Sequence, residues 1–261
     1  MSHTTSTAPP EALSPGILVS TSQQVRAYEL KFLLSEARAQ EVERWAVAHM
    51  VPDPHAEPGL GNAYRVTSLY LDTPGLDVFH RVPPHHRRKM RLRGYAATST
   101  LFLEQKSRRG DRIRKRRTPI ADADLVRLRQ FTHEKRGPNG RWDDWPGAWF
   151  QERLIARALR PTLQIGCVRS AFFGEAAEGP MRVTLDRHLH GVPNHDWPLL
   201  STQGGPPLLD GQVVLELKYR NAVPTLFKRL LVEMALNPCP VSKYRLAMRA
   251  WNPGNESHPV G

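Results

Sequence analysis

Of 261 residues only two are cysteine, Cys167 and Cys239, and neither has a CxxC partner. A disulfide scaffold and a thiolate zinc site are thereby excluded. No stretch reaches the roughly 18 consecutive apolar residues of a membrane-spanning helix. The first residues (MSHTTSTAPP) also lack the basic-then-apolar order of a secretory signal. The expectation is a cytoplasmic protein without a membrane span. Basic runs interleaved with aromatics, which RNA-binding surfaces use for stacking, are missing too, so a specific nucleic-acid partner is not expected. Negative charge is scarce, with Asp+Glu 25 against Lys+Arg 37, a formal charge of +12.

That excess is concentrated. Between Arg87 and Thr118 stand thirteen Lys/Arg and two acids, Glu104 and Asp111, while the rest of the chain is nearly neutral. A polyanion would be met through this block. Residues 1–24 are rich in Ser, Thr and Pro with little to bury and read as a disordered leader; 252–261 reads as a loose tail. Residues 25–251 form the folded unit.

Within that unit, strands are expected at Arg26–Leu34, Tyr64–Leu71, Lys89–Tyr95, Leu101–Ser107, Arg112–Ile120, Leu163–Phe173, Met181–His190 and Gln212–Arg220. Helices are expected from Ser35, as N-cap, to His49, and over Asp122–Phe131, Pro146–Leu159 and Pro224–Leu236. His133–Pro146 reads as a polar loop carrying two tryptophans, and Gly191–Gly211 as a Gly/Pro-rich loop. Consecutive short strands argue against a parallel nucleotide-binding sheet. The fold class is α+β: an antiparallel eight-stranded, tunnel-like β-barrel with helices packed outside.

The charges fall at strand spacing. Side chains alternate between faces with period 2. Glu29/Lys31, Lys89/Arg91/Arg93, Glu104/Lys106, Arg182/Thr184/Asp186 and Glu216/Lys218 therefore each share one face, with aliphatics on the other. Any one such strand is explained by an ordinary two-faced sheet. Five of them, rich in paired charges and poor in Ser and Thr, point instead to a closed barrel with a charged lumen, since the helices will cover the apolar side.

ELKF (29–32), TSLYLDTP (67–74), KMRLRGY (89–95), FLEQK (102–106), RVTLD (182–186), LELKY (215–219) and SKY (242–244) resemble, in this order, the VTC domain. That domain is the polyphosphate polymerase module of the vacuolar transporter chaperone complex, within the triphosphate tunnel metalloenzyme (CYTH-like) superfamily. The resemblance implies a phosphotransferase that moves the γ-phosphate of ATP onto polyphosphate, with triphosphate and pyrophosphate as related ligands and Mn²⁺ or Mg²⁺ as cofactor. Lys31, Arg91, Arg93 and Lys106 would be catalytic. Arg169, Arg182, Lys218, Ser242 and Lys243 would bind the substrate. Strand phase leaves Lys115/Arg117 and Arg114/Arg116 open, and the resemblance favours Lys115 and Arg117. Glu216 would be the first metal ligand, with Glu29 and Glu104 as further candidates; each could instead be an ion-pair partner, the expected role of Asp186. Arg87, Arg88, Arg108 and Arg109 stand evenly between surface and phosphate path. The histidines at loop ends are not expected to be ligands.

Two departures from this reading are open. The family commonly has Tyr two residues before the tunnel arginine, where this chain has Cys167. The alternatives are a triphosphatase sharing nearly every site residue and a non-catalytic polyanion- or RNA-binding domain.

Overall fold

The structure, a computed structural model, describes residues 25–96, 98–109, 112–129, 145–202 and 205–251. The leader, the tail, the turn at Gly110-Asp111 and most of the tryptophan loop lie outside these residues. Strands β1 (Val25–Leu34), β2 (Val51–Pro52), β3 (Ala63–Asp72), β4 (Arg88–Tyr95), β5 (Leu101–Arg109), β6 (Arg112–Ile120), β7 (Arg160–Ala176), β8 (Gly179–Pro193) and β9 (Val213–Tyr219) are interspersed with helices. The helices are α1 (Glu36–His49), α2 (Asp77–His80), α3 (Leu125–Arg129), α4 (Ala148–Ala156), α5 (Thr225–Glu233) and α6 (Lys243–Trp251).

The ring runs β7-β3-β4-β5-β6-β1-β9-β8 and closes because β7 also pairs with β8, while β2 adds two residues beside β7. All pairings are antiparallel, so the expected eight-stranded barrel is what the chain forms. Closure leaves the barrel no open edge.

Period-2 alternation sorts the side chains. One apolar shell outside the wall gathers Leu69, Leu71, Met90, Leu92, Leu103, Leu128, Phe150 and Leu154 under α2, α3 and α4, and continues to Tyr244 of α6. The other gathers Phe32, Val183, Leu185, Leu215 and Leu217 under α1 and α5. In α1, Ser35 Oγ accepts from Arg38 N at 3.4 Å, the expected cap, and Ala39, Val42, Trp45 and Ala46 form the buried stripe.

The differences from the sequence reading have local causes. β7 and β8 are longer than expected, since an arch between them is paired to the tip, Ala176 opposite Gly179. The helix expected over Asp122–Phe131 begins with a 3-10 turn at Asp122–Asp124 and continues as α3 to Arg129; residues 130–131 lie outside the described residues. Trp149 packs on the outer wall: its Nε1 donates to Thr118 Oγ1 at 2.9 Å and Arg116 lies 4.1 Å over its ring. α6 was not expected at all. It crosses one end of the barrel, Tyr244 stacking on Tyr70 at 5.3 Å and donating to Asp72 Oδ2 at 2.6 Å.

Candidate functional site: a charged tunnel

The lumen holds two ion-pair hubs. Glu104, 1% exposed, receives Arg91 Nη2 at 2.6 Å, Lys115 Nζ at 2.6 Å, Arg117 Nε at 3.3 Å and Arg93 Nη1 at 3.9 Å. Burial pushes its carboxyl up, but Lys115, Arg91, Arg93 and Arg117 outweigh this and hold it well below the ordinary range. β4, β5 and β6 bring these five together because Arg91 lies opposite Glu104 and Glu104 opposite Arg117.

The second hub joins β1 and β9. Lys31 Nζ bridges Glu29 at 3.2 Å and Glu216 at 3.1 Å; Lys106 Nζ lies 2.8 Å from Glu29 and Lys218 Nζ 2.6 Å from Glu216. Burial and Glu216 push the Glu29 carboxyl up, yet Lys106, Lys31 and Lys218 hold it at about 2. Beyond it, Arg169 grips buried Asp186 with two bonds of 2.6 and 2.7 Å, and Lys243 reaches in from α6 to Asp186 and to Glu216, 3.4 Å away. Asp186 is thus an ion-pair partner, as expected.

Every sequence-predicted residue is placed in this lumen or at its α6 end: Lys31, Arg91, Arg93, Lys106, Lys115, Arg117, Arg169, Arg182, Lys218, Ser242 and Lys243 with the carboxylates Glu29, Glu104 and Glu216. Arg114 and Arg116 take the outer face, which resolves the phase of β6. Arg87, Arg88, Arg108 and Arg109 are exposed at the rim.

Sequence reasoning put Lys89 on the charged face without giving it a role, and it missed the hydroxyls around the lumen. Lys89 donates to Ser242 Oγ at 2.7 Å; burial, with Lys31, Lys106, Arg91 and Arg81 around it, pushes its ammonium down to about 7. Tyr70 OH accepts from Arg91 at 3.1 Å, Tyr95 OH from Arg117 at 3.0 Å, and Ser68 Oγ from Arg93 at 3.0 Å. Tyr64 OH accepts from Arg182 at 2.9 Å and donates to Asp53 at 3.2 Å. Cys167 sits beside Tyr64, Val66 and Tyr95, so hydroxyls from β3 and β4 stand around the position where the family has Tyr. The shared phase with Arg91 was the available signal for Lys89; the tyrosines needed the strand pairing.

For a divalent ion, the donor chemistry is that of hard oxygens: the buried carboxylates Glu216 and Glu29 on adjacent strands, and Thr184 opposite Glu216, whose buried Oγ1 has no hydrogen-bond partner among the described residues. By donor type these fit a hard divalent cation. Lysines lie on both carboxylates, Lys31, Lys218 and Lys243 on Glu216 and Lys31 and Lys106 on Glu29; Glu104 fits less well, because four cations, three of them arginines, meet on it alone. Among the described residues no cluster of three or more His, Cys, Asp or Glu stands ready to hold a metal on its own.

A closed antiparallel barrel with helices outside and a basic lumen laced with carboxylates defines a class, the triphosphate tunnel metalloenzymes of CYTH-like fold. The chain belongs to the VTC domain family within it, the family model matching residues 26–252. A search of curated proteins by sequence gives no match. Among solved structures, the chain is similar to a Bacillus halodurans protein assigned as an adenylate cyclase (10% identity, 84% of this chain and 94% of that chain, TM-score 0.47). It is also similar to a Pyrococcus horikoshii protein (13%, 86% and 99%, 0.46) and to a Hippeastrum protein assigned as an adenylyl cyclase and described as having a dominant triphosphatase activity (12%, 86% and 95%, 0.47). All three lie below a TM-score of 0.5, and membership rests on the family model.

Proposed function

We propose that this chain is a polyphosphate polymerase, transferring the γ-phosphate of ATP to a polyphosphate chain. The observation that carries the reading is the cationic surplus inside a closed wall. Lys89 is surrounded by cations and donates to a serine hydroxyl, an arrangement built to receive an anion with several phosphates in line. The order of the VTC-type segments favours the polymerase over the triphosphatase.

In this mechanism Arg91, Arg93, Lys106 and Lys31 neutralise the triphosphate, and Lys115, Arg117, Arg169, Arg182, Lys218, Ser242 and Lys243 hold the chain in line. A terminal oxygen of the chain attacks the γ-phosphorus, the bond from that phosphorus to the β–γ bridging oxygen breaks, and ADP leaves with the electron pair. Charge spreads over the transferring phosphoryl group, and the preoriented guanidinium groups stabilise it without reorganising. Glu104 and Asp186 position those groups. A divalent ion held by Glu216 and Glu29 would supply further neutralisation of the phosphate oxygens. A cytoplasmic setting, where ATP is supplied, belongs to the same reading.

The test is product analysis. Purified protein given ATP and Mn²⁺ should release ADP and accumulate long-chain polyphosphate. Release of inorganic phosphate alone makes water the acceptor and the protein a triphosphatase. No turnover, together with sequence-specific RNA binding that survives physiological salt, would sink both enzyme readings.

A further inference from the structure

The two tunnel mouths differ in charge. At one, the lumen arginine Arg182 is matched by Asp53 at 3.0 Å, and on the outer face of the same end Arg65 is matched by Glu57 at 2.8 Å. At the other, where α6 crosses, Arg81, Arg245 and Arg249 form no salt bridge with any carboxylate among the described residues. Arg81 and Arg249 are exposed, and Arg245 is half-buried with its Nε unpartnered among the described residues.

Their placement is fixed by one buried carboxylate. Asp72, 0% exposed at the end of β3, accepts from Val78 N at 2.8 Å and Phe79 N at 3.0 Å, which pins the start of α2. It also accepts from Tyr244 OH, which pins α6. Arg81 caps the C-terminal end of α2 in the left-handed region, φ 61°, and α2 packs on α6. Arg245 and Arg249 stand four residues apart on one face of α6. Ser242, which accepts from both Lys89 Nζ and Arg245 N, joins this group to the lumen. Burial, Arg81 and Arg249 push the Arg245 guanidinium down, in keeping with cations crowded together.

We propose that Arg81, Arg245 and Arg249 form a second anion subsite, continuous with Lys89, that holds the segment of a linear polyphosphate projecting from the α6 mouth. The inference rests on the polyphosphate reading above and adds a direction to it: the chain runs outward past α6, not through the charge-matched mouth. A triphosphate, contained within the lumen, does not reach the subsite. Affinity for long chains should therefore exceed what the lumen alone gives.

The experiment measures binding of triphosphate and of long-chain polyphosphate by titration calorimetry, in the parent, in R81Q/R249Q and in R81Q/R245Q/R249Q. The double variant changes exposed side chains alone, so its fold is not at stake, and its melting temperature is recorded alongside. The expected result is a loss of about tenfold or more in long-chain affinity and a shallower salt dependence, with triphosphate affinity kept within about twofold. Equal affinity of parent and double variant for the long chain overturns the subsite while leaving the lumen reading intact. A parent that binds neither ligand overturns the lumen reading and the subsite with it. Vesicles containing phosphatidylserine are the third probe: vesicle binding lost in the variants while chain-length preference persists assigns these arginines to a membrane surface and overturns the subsite.

Discussion

Replacing Glu104 by Gln tests whether this carboxylate is an ion-pair hub or a metal ligand. The substitution keeps size and removes the charge that faces Arg91, Arg93, Lys115 and Arg117. Removing one partner of a buried ion pair costs about 3–5 kcal/mol, because the remaining charge is left uncompensated. Lys115 is 39% exposed and Arg117 26%, so lumen water screens part of the repulsion, and the low end, about 3 kcal/mol, applies. For a chain of this size that corresponds to a fall in melting temperature of roughly 6–12 °C. The assay is thermal unfolding of the metal-free protein, with and without triphosphate. An added polyanion returns negative charge to the same cations, so triphosphate should raise the melting temperature more in the variant than in the parent. The acid limb gives a second reading. The folded carboxyl titrates well below its ordinary 4.5, so its stabilisation is complete above about pH 4.5 and is lost as pH falls below that; the variant should lack this part of the loss. Metal-free E104Q melting with the parent would refute the hub.

Glu216→Gln should lower the melting temperature, since Lys31, Lys218 and Lys243 lose a buried partner, yet leave the chain folded and metal-free triphosphate binding intact while turnover with Mn²⁺ or Mg²⁺ falls at least about a hundredfold; normal turnover would move the ligand role to Glu29. Arg91→Ala/Arg93→Ala should abolish both turnover and the thermal stabilisation by triphosphate, and unchanged stabilisation would remove these residues from the site. Lys89 titrates near 7 in the fold and 10.5 in the unfolded chain, so between these values the unfolded chain binds more protons and this group makes stability rise with pH. A bound triphosphate draws that ammonium back up, so binding at pH 8 should take up protons. Calorimetry in buffers of different ionisation enthalpy reads the uptake, and no difference between parent and Lys89→Met would contradict it. Tyr244→Phe should cost about 1–3 kcal/mol in denaturant unfolding, since Asp72 stays buried with one donor fewer, and an unchanged midpoint would show that α6 is held in other ways.

Much of this protein was settled along the chain. Alternation in a strand is local geometry: once Glu29, Lys31, Arg91, Arg93, Glu216 and Lys218 were seen at spacing two, the common face followed, and so did the outer apolar face that α1 and α5 cover. The choice of Lys115 and Arg117 over Arg114 and Arg116 was already beyond periodicity, because either phase of a run of bases satisfies it. α6 escaped because a nine-residue helix with the bases Lys243, Arg245 and Arg249 spread through it is not stable on its own and needs a surface to pack on; here that surface is the barrel end.

What the tertiary structure decided is which charges meet. Lys106 finds Glu29 across 77 residues, Lys89 finds Ser242 across 153, and Tyr244 finds Asp72 across 172. These pairs depend on strand order and register around a closed ring, properties of the whole wall that no window of sequence contains. The sequence determined that there would be a charged face and an apolar one; closure of β7 on β8 made the first an interior, and the path of α6 made its two ends unlike.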